Sequence, residues 1–194
     1  MADSLELVAA QVRVCTRCRL SESRTFAVPG QGELSARLML VGEAPGARED
    51  QTGLPFQGLS GRFLDRCLTE LGLARDKVFI GSVNKCRPPA NRVPRRDEMA
   101  ACAGYLDRQM TLIQPTVVLA MGGTAAGRLH PEATGRPLNV TELRGRPIPL
   151  GPDRALVVTY HPAAAMRFPS RRDPFRADLE QAVRLADLDP DAVS

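Results

Sequence analysis

The chain has 194 residues, 43% of them hydrophobic, with a formal charge of +4 and a pI near 9.0. That is enough for one domain with a full core, and the absence of a transmembrane-length apolar run or a long low-complexity stretch excludes a membrane-spanning or a largely disordered chain. The basic residues are nearly all arginine, Lys77 and Lys85 being the only lysines; arginine grips phosphate bidentately and stacks on bases, so the balance suits nucleic acid, although a GC-rich genome gives the same bias.

The first residues, Met1 to Glu6, have neither the basic start nor the apolar stretch of a secretory signal, so a cytoplasmic setting with reduced thiols is expected. Leu5 to Val14 is a helix candidate leading into the turn Cys15-Thr16-Arg17-Cys18. A buried strand is expected over Leu38 to Val41, followed by Gly42-Glu43-Ala44-Pro45-Gly46-Ala47-Arg48-Glu49-Asp50 and then Gly53-Leu54-Pro55-Phe56. Leu59 to Leu73 repeats apolar residues at helical spacing (Phe63, Leu64, Cys67, Leu68, Leu71), with Gly72 ending it. A second strand, Val78 to Val83, leads into the arginine-rich segment from Asn84 to Arg96. A helix over Asp97 to Ile113 is stopped by Pro115, and a third strand, Val117 to Met121, runs into Gly122-Gly123-Thr124 and a short helix ending at Leu129. The fourth strand, Leu156 to Tyr160, delivers His161-Pro162 and Arg167, and an amphipathic helix over Asp173 to Leu188 closes the chain. Strands alternating with helices imply an α/β fold, a single domain over 1–194 with a parallel sheet covered on both faces.

Four of the five cysteines are Cys15, Cys18, Cys86 and Cys102. Reduced thiolates converging four at a time bind zinc or a [4Fe–4S] cluster. Zinc ribbons usually close with a second short knuckle, and the wide gap between Cys86 and Cys102 favours the cluster; ordinary buried thiols are the alternative. Cys67 lies on an apolar helical face and belongs to the core.

In parallel sheets, ligands bind beyond the carboxyl ends of the strands. Here that edge gathers acidic residues, a histidine, an aromatic ring and most of the clustered arginines. Neither Gly42-Glu43-Ala44-Pro45-Gly46 nor Gly122-Gly123-Thr124 supplies a dinucleotide or P-loop fingerprint.

Taken together, Gly42-Glu43-Ala44-Pro45-Gly46 with Glu49-Asp50, Pro55-Phe56, Lys85-Cys86-Arg87-Pro88-Pro89, His161-Pro162 with Arg167, and the four-cysteine framework resemble the family 4 uracil-DNA glycosylases over essentially the whole chain. The resemblance implies a three-layer α/β/α sandwich with a central four-stranded parallel sheet, a [4Fe–4S] cluster on Cys15, Cys18, Cys86 and Cys102, and release of uracil from DNA in base-excision repair. It implies a monomer that acts on uracil-containing DNA, single- or double-stranded, in the cytoplasm at the nucleoid and not at a membrane. His161 is then the donor to uracil O2, Phe56 the stacking ring, and Glu43 and Asp50 the carboxylates near the nucleophilic water; Gly42, Ala44 and Gly46 present backbone amides to the base. Glu49 is expected to be a solvated turn residue and His130 to have no role.

One position departs from the family pattern. Where an asparagine usually reads the uracil edge, this chain has Ser82, whose single hydroxyl cannot make the paired contact of an amide. Asn84, two residues on, is expected on the same strand face. The alternative function is therefore a DNA-binding relative with weak, altered or absent excision. Arg87, Arg92, Arg95 and Arg96 are expected to hold phosphates, with Arg167, Arg171 and Arg172 across the groove and Met166 as a wedge into the gap left by the flipped base.

Overall fold

A computed structural model describes residues 2–132 and 136–188. Five strands, β1 (Leu38–Gly42), β2 (Phe79–Ser82), β3 (Val117–Met121), β4 (Ile148–Pro149) and β5 (Ala155–Thr159), form one sheet in the order β2-β1-β3-β5-β4. The four longer strands are the expected ones and run parallel. The count is corrected from four to five by β4, which pairs antiparallel with β5 through Ile148 and Pro149. Two residues carry no readable period, and proline, lacking an N–H, suits only a sheet edge, so such a strand leaves little trace in a sequence.

The helices are α1 (Leu5–Arg13), α2 (Leu20–Ser23), α3 (Ala47–Thr52), α4 (Leu59–Glu70), α5 (Arg96–Ile113), α6 (Gly123–Leu129), α7 (Val140–Leu143), α8 (Pro162–Arg167) and α9 (Arg172–Leu185). Because side chains alternate across a strand, Leu38 and Leu40 pack with Phe63, Leu64 and Leu68 of α4 and Phe175 and Leu179 of α9, while Met39 and Val41 pack with Leu106 and Ile113 of α5 and Ala125 and Ala126 of α6. That produces the three layers. A smaller third core joins Val8 and Val12 of α1 and Leu20 to Cys86, Cys102 and Tyr105. No described helix is long and apolar enough to cross a membrane.

The chain leaves β1 toward β2 on one side and returns to β3 on the other, so the carboxyl ends of β1 and β3 diverge, the place where such sheets open a crevice. Gly42 ends β1 opposite Ser82, and Met121 ends β3 opposite Thr159, two residues before His161.

Candidate active site

The crevice is a cleft of about 640 Å³ lined by the turn after β1 (Glu43 to Gly46), Phe56, Ser82, the Gly122-Gly123-Thr124 turn, His161 and, on the opposite rim, Asn91, Arg92 and Val93. Six of the residues expected at a base-binding site therefore share one cavity: Glu43, Ala44, Gly46, Phe56, Ser82 and His161.

Phe56 is held with unusual stringency. Its φ of 51° lies in the left-handed region, which a bulky side chain rarely occupies. A Cβ on Gly42 would stand 2.7 Å from the ring's Cζ, and one on Gly61 would stand 1.8 Å from the Phe56 carbonyl oxygen, so both glycines make room for this one residue. The ring stacks on His161 with centroids 5.7 Å apart and planes inclined at 28°.

Glu49 is the tie that fixes the Phe56 loop. Its Oε2 accepts from the Gly46 amide at 3.0 Å, and its Oε1 accepts from Gln57 and Gly58 at 2.7 and 2.9 Å. The carboxylate is buried, which corrects the expectation of a solvated turn: α3 begins at Gly46, and Glu49 is its capping side chain. Asp50 is also corrected. It does not line the cleft; its Oδ1 accepts from the Thr25 amide at 3.0 Å, because α3 turns it toward the segment before β1.

Glu43 is the carboxylate that stays in the cleft, and Thr124 Oγ1 donates to its Oε2 at 2.5 Å. Thr124 was not foreseen as a functional residue; its position in the first turn after β3 was the available signal.

His161 caps α8, with Nδ1 accepting from the Ala163 amide at 3.2 Å. The ring proton therefore sits on Nε2. Burial pushes the imidazole down to about 4, with the charge of Glu49 pulling weakly the other way. The ring is neutral at physiological pH and offers one N–H donor.

Ser82 lines the cleft, but Asn84 does not. Its Nδ2 donates to the Glu98 carbonyl at 3.0 Å, while its Oδ1 is buried without a partner. The expectation that it shares a face with Ser82 fails because β2 ends at Ser82, and alternation ends with the strand.

Asn84 instead lines a small pocket with Cys15, Cys18, Cys86 and Cys102, so the fold gathers all four cysteines. Among the described residues no three His, Cys, Asp or Glu side chains converge as ligands of a single ion. A four-iron cubane is larger than one ion and holds its thiolates farther apart. Arg24 Nη1 reaches Cys86 Sγ at 3.0 Å and the Lys85 amide reaches Cys102 Sγ at 3.3 Å, hydrogen bonds of the kind that stabilise thiolate sulfur. Burial pushes the Cys102 thiol up to about 11, with Lys85 opposing it, so ionised sulfur there requires a cation. Four gathered sulfurs, N–H donors aimed at two of them and an orphaned amide oxygen fit an iron–sulfur group.

The arginines divide by their present partners. Arg92 is bound bidentately by Glu98, at 2.8 and 2.6 Å, and Arg92's hydrogen bonds hold that buried carboxyl down to about 2. This corrects its assignment as a phosphate ligand: neutralising a buried carboxylate already occupies its fork. Arg87 donates to Asn91 at the rim, and Arg95 is exposed at the start of α5, where Arg96 follows it. Arg172 donates to the carbonyls of Ala165 and Met166. Arg171 lies over both Tyr160 and Phe168, at 5.0 and 4.6 Å, and Arg167 over Phe168 at 5.5 Å. Met166 packs against the core and is not placed as a wedge, since the α8 period turns it inward, whereas Phe168 is exposed.

A Gly-turn cleft at the switch point of a three-layer sheet, lined by a half-buried histidine, an aromatic ring and a carboxylate, is the kind of site found in α/β enzymes that bind a planar ligand. The family model of the uracil DNA glycosylase superfamily matches residues 29–184. A type-4 uracil-DNA glycosylase of Sulfurisphaera tokodaii is 41% identical over 188 residues, covering 95% of this chain and 86% of the relative. One from Thermotoga maritima is 40% identical, covering 84% and 83%, and a type-5 uracil-DNA glycosylase of Thermus thermophilus is 33% identical, covering 83% and 81%. The chain belongs to the uracil DNA glycosylase superfamily.

Proposed function

We propose that this protein hydrolyses the N-glycosidic bond of deoxyuridine in DNA, releasing uracil and leaving an abasic site for base-excision repair. The observation that carries the reading is the neutral His161 with its proton on Nε2, stacked on Phe56 and facing the same cleft as Glu43 and Ser82. A uracil leaving with the bond's electron pair develops negative charge on its carbonyl oxygens, and a fixed neutral donor stabilises that charge more than it stabilises the ground state.

The target nucleotide must leave the base stack to enter the cleft. Phe56 supplies the flat apolar wall for the flipped ring. In the turn after β1, the Glu43 and Ala44 amides would hold base carbonyls, since Pro45 has no N–H and the Gly46 amide is taken by Glu49. Glu43, oriented by Thr124, faces the sugar and the incoming water, where its charge favours the oxocarbenium-like transition state. Ser82 meets the base edge with one hydroxyl.

Cys15, Cys18, Cys86 and Cys102 would hold a [4Fe–4S] cluster. When bound, it supplies a four-point cross-link between the α1 turn, the segment after β2 and α5. Those residues fix the arginine-bearing loop from Arg87 to Arg95 as one rim of the DNA groove, with Arg167 and Arg171 on the other.

The test is incubation with uracil-containing single- and double-stranded oligonucleotides, then alkaline cleavage at abasic sites. Strand cleavage dependent on uracil and lost in His161→Ala is the expected result. Binding of the same DNA with no abasic product would reject it.

A further inference from the structure

Lys85 heads the largest side chains sealed from solvent. Its Nζ donates to the Ser82 carbonyl at 2.9 Å and to Gln109 Oε1 at 2.7 Å, and Gln109 Nε2 donates to the Pro29 carbonyl at 2.6 Å. Every one of these acceptors is neutral, and among the described residues no carboxylate pairs with it. An ammonium taken out of water with neutral partners alone is costly, and proteins retain one where an anion compensates it. The candidates for that anion are sulfurs. Lys85 lines the pocket of the four cysteines, and its own amide donates to Cys102 Sγ at 3.3 Å. Four thiolates outweigh the positive charge of a cubane core, so a [4Fe–4S] group on these cysteines is a net anion in a low-dielectric site.

We propose that Lys85 is the buried counter-charge of that group and, through the Ser82 carbonyl, the link that holds the base-facing strand end in register with it. This rests on reading the four cysteines as an iron–sulfur site. Lys85 is on this account a positioning residue: it touches neither base nor sugar. The reduction potential of a cluster follows its net electrostatic environment, so removing a nearby positive charge makes reduction harder. It also leaves the anion less well compensated, so iron is lost more readily. Conversely, removing the iron leaves the ammonium without its anion.

The experiment compares anaerobically purified wild type, Lys85→Met and Lys85→Gln by iron and sulfide content, by voltammetry without DNA, and by melting temperature before and after iron removal with a chelator. Both variants are expected to have a more negative potential and to lose iron at least tenfold faster. Chelation is expected to lower the melting temperature of the wild type more than that of Lys85→Met, since only the former then buries an unpaired charge. Lys85→Gln keeps an N–H for the Ser82 carbonyl and retains the greater excision rate of the two; it also gives the electrochemical answer if the methionine variant does not fold. Variants that keep the wild-type potential and iron-loss rate with the cluster present would overturn the proposal alone. Wild type that carries zinc or no metal would overturn the cofactor reading and this one with it.

Discussion

His161 stays neutral because burial, and not a hydrogen-bonded anion, sets its protonation. Its pKa lies below the ordinary histidine value, so the unfolded chain binds the extra proton as pH falls from about 6.5 and the folded state resists it until about 4. Stability from this group is thus fully present above about 6.5 and declines between 6.5 and 4. The single-turnover rate of excision is accordingly expected to show no inflection near 6.5, and a profile that falls with a midpoint there would mean that the ring is solvated. His161→Ala should slow excision roughly a hundredfold, the effect of deleting one preorganised donor, with DNA affinity near that of the wild type. Ser82 is the second decisive residue. Replacing it with the asparagine that the family pattern leads one to expect, Ser82→Asn, should raise uracil excision and narrow the range of other deaminated bases removed, measured on matched oligonucleotides. An unchanged rate and range would leave base reading to the backbone amides of the turn after β1, since Asn84 faces the cysteine pocket and cannot take over.

At the level of elements, one carboxylate couples two loops. Glu49 accepts from three amides, on Gly46, Gln57 and Gly58, and so links the turn after β1 to the Phe56 loop. Glu49→Gln puts an NH₂ group against an amide N–H, with a cost of about 1–3 kcal/mol per unsatisfied buried donor. The expected result is a lower melting temperature and weakened excision, with binding to uracil-free DNA unchanged; full excision activity would show that the Phe56 loop holds itself. This coupling was hidden in the sequence for a physical reason. Glu49-Asp50 reads as an acidic pair in a turn, and nothing in its spacing tells which carboxylate faces amides, whereas the long strands and α4, α5 and α9 were legible because each buries a periodic apolar face. The strand-end rule found Glu43, Phe56, Ser82 and His161, all of which line the cleft. It missed Thr124, whose role depends on a contact across 81 residues, and it extended the strand two residues too far, to Asn84, because the end of a strand is set by pairing and not by composition. Lys85 was invisible as a buried charge for the same reason: burial of a lysine is decided by distant neighbours, here Gln109 and Pro29.

For the whole molecule, a charge of +4 is too small to hold DNA by bulk attraction, so affinity must come from where the arginines stand. Two rims flank the cleft: the segment from Arg87 to Arg95, which follows Cys86, and the segment from α8 to the start of α9, where Arg167 and Arg171 gather around Phe168. Arg92 sits in the first rim by sequence but is tied to Glu98. This separates two kinds of arginine that composition cannot tell apart. Arg87→Ala, Arg95→Ala and Arg167→Ala should each lower the slope of log affinity against log salt by ~1 and weaken uracil-containing and uracil-free DNA alike, the signature of one lost phosphate contact. Arg92→Ala should leave that slope close to the wild-type value and lower stability, because it strands a carboxylate that was hydrogen-bonded through charge. Glu98 is held down to about 2 in the folded state, so the stability it contributes is present above the ordinary glutamate pKa and is lost as pH falls toward about 2. The Arg92→Ala protein should therefore lose its deficit relative to wild type on acidification, a convergence readable in denaturant midpoints at neutral and acidic pH. A reduced salt slope with undiminished stability in Arg92→Ala would place that side chain on a phosphate after all and move the inner edge of the DNA groove to Glu98.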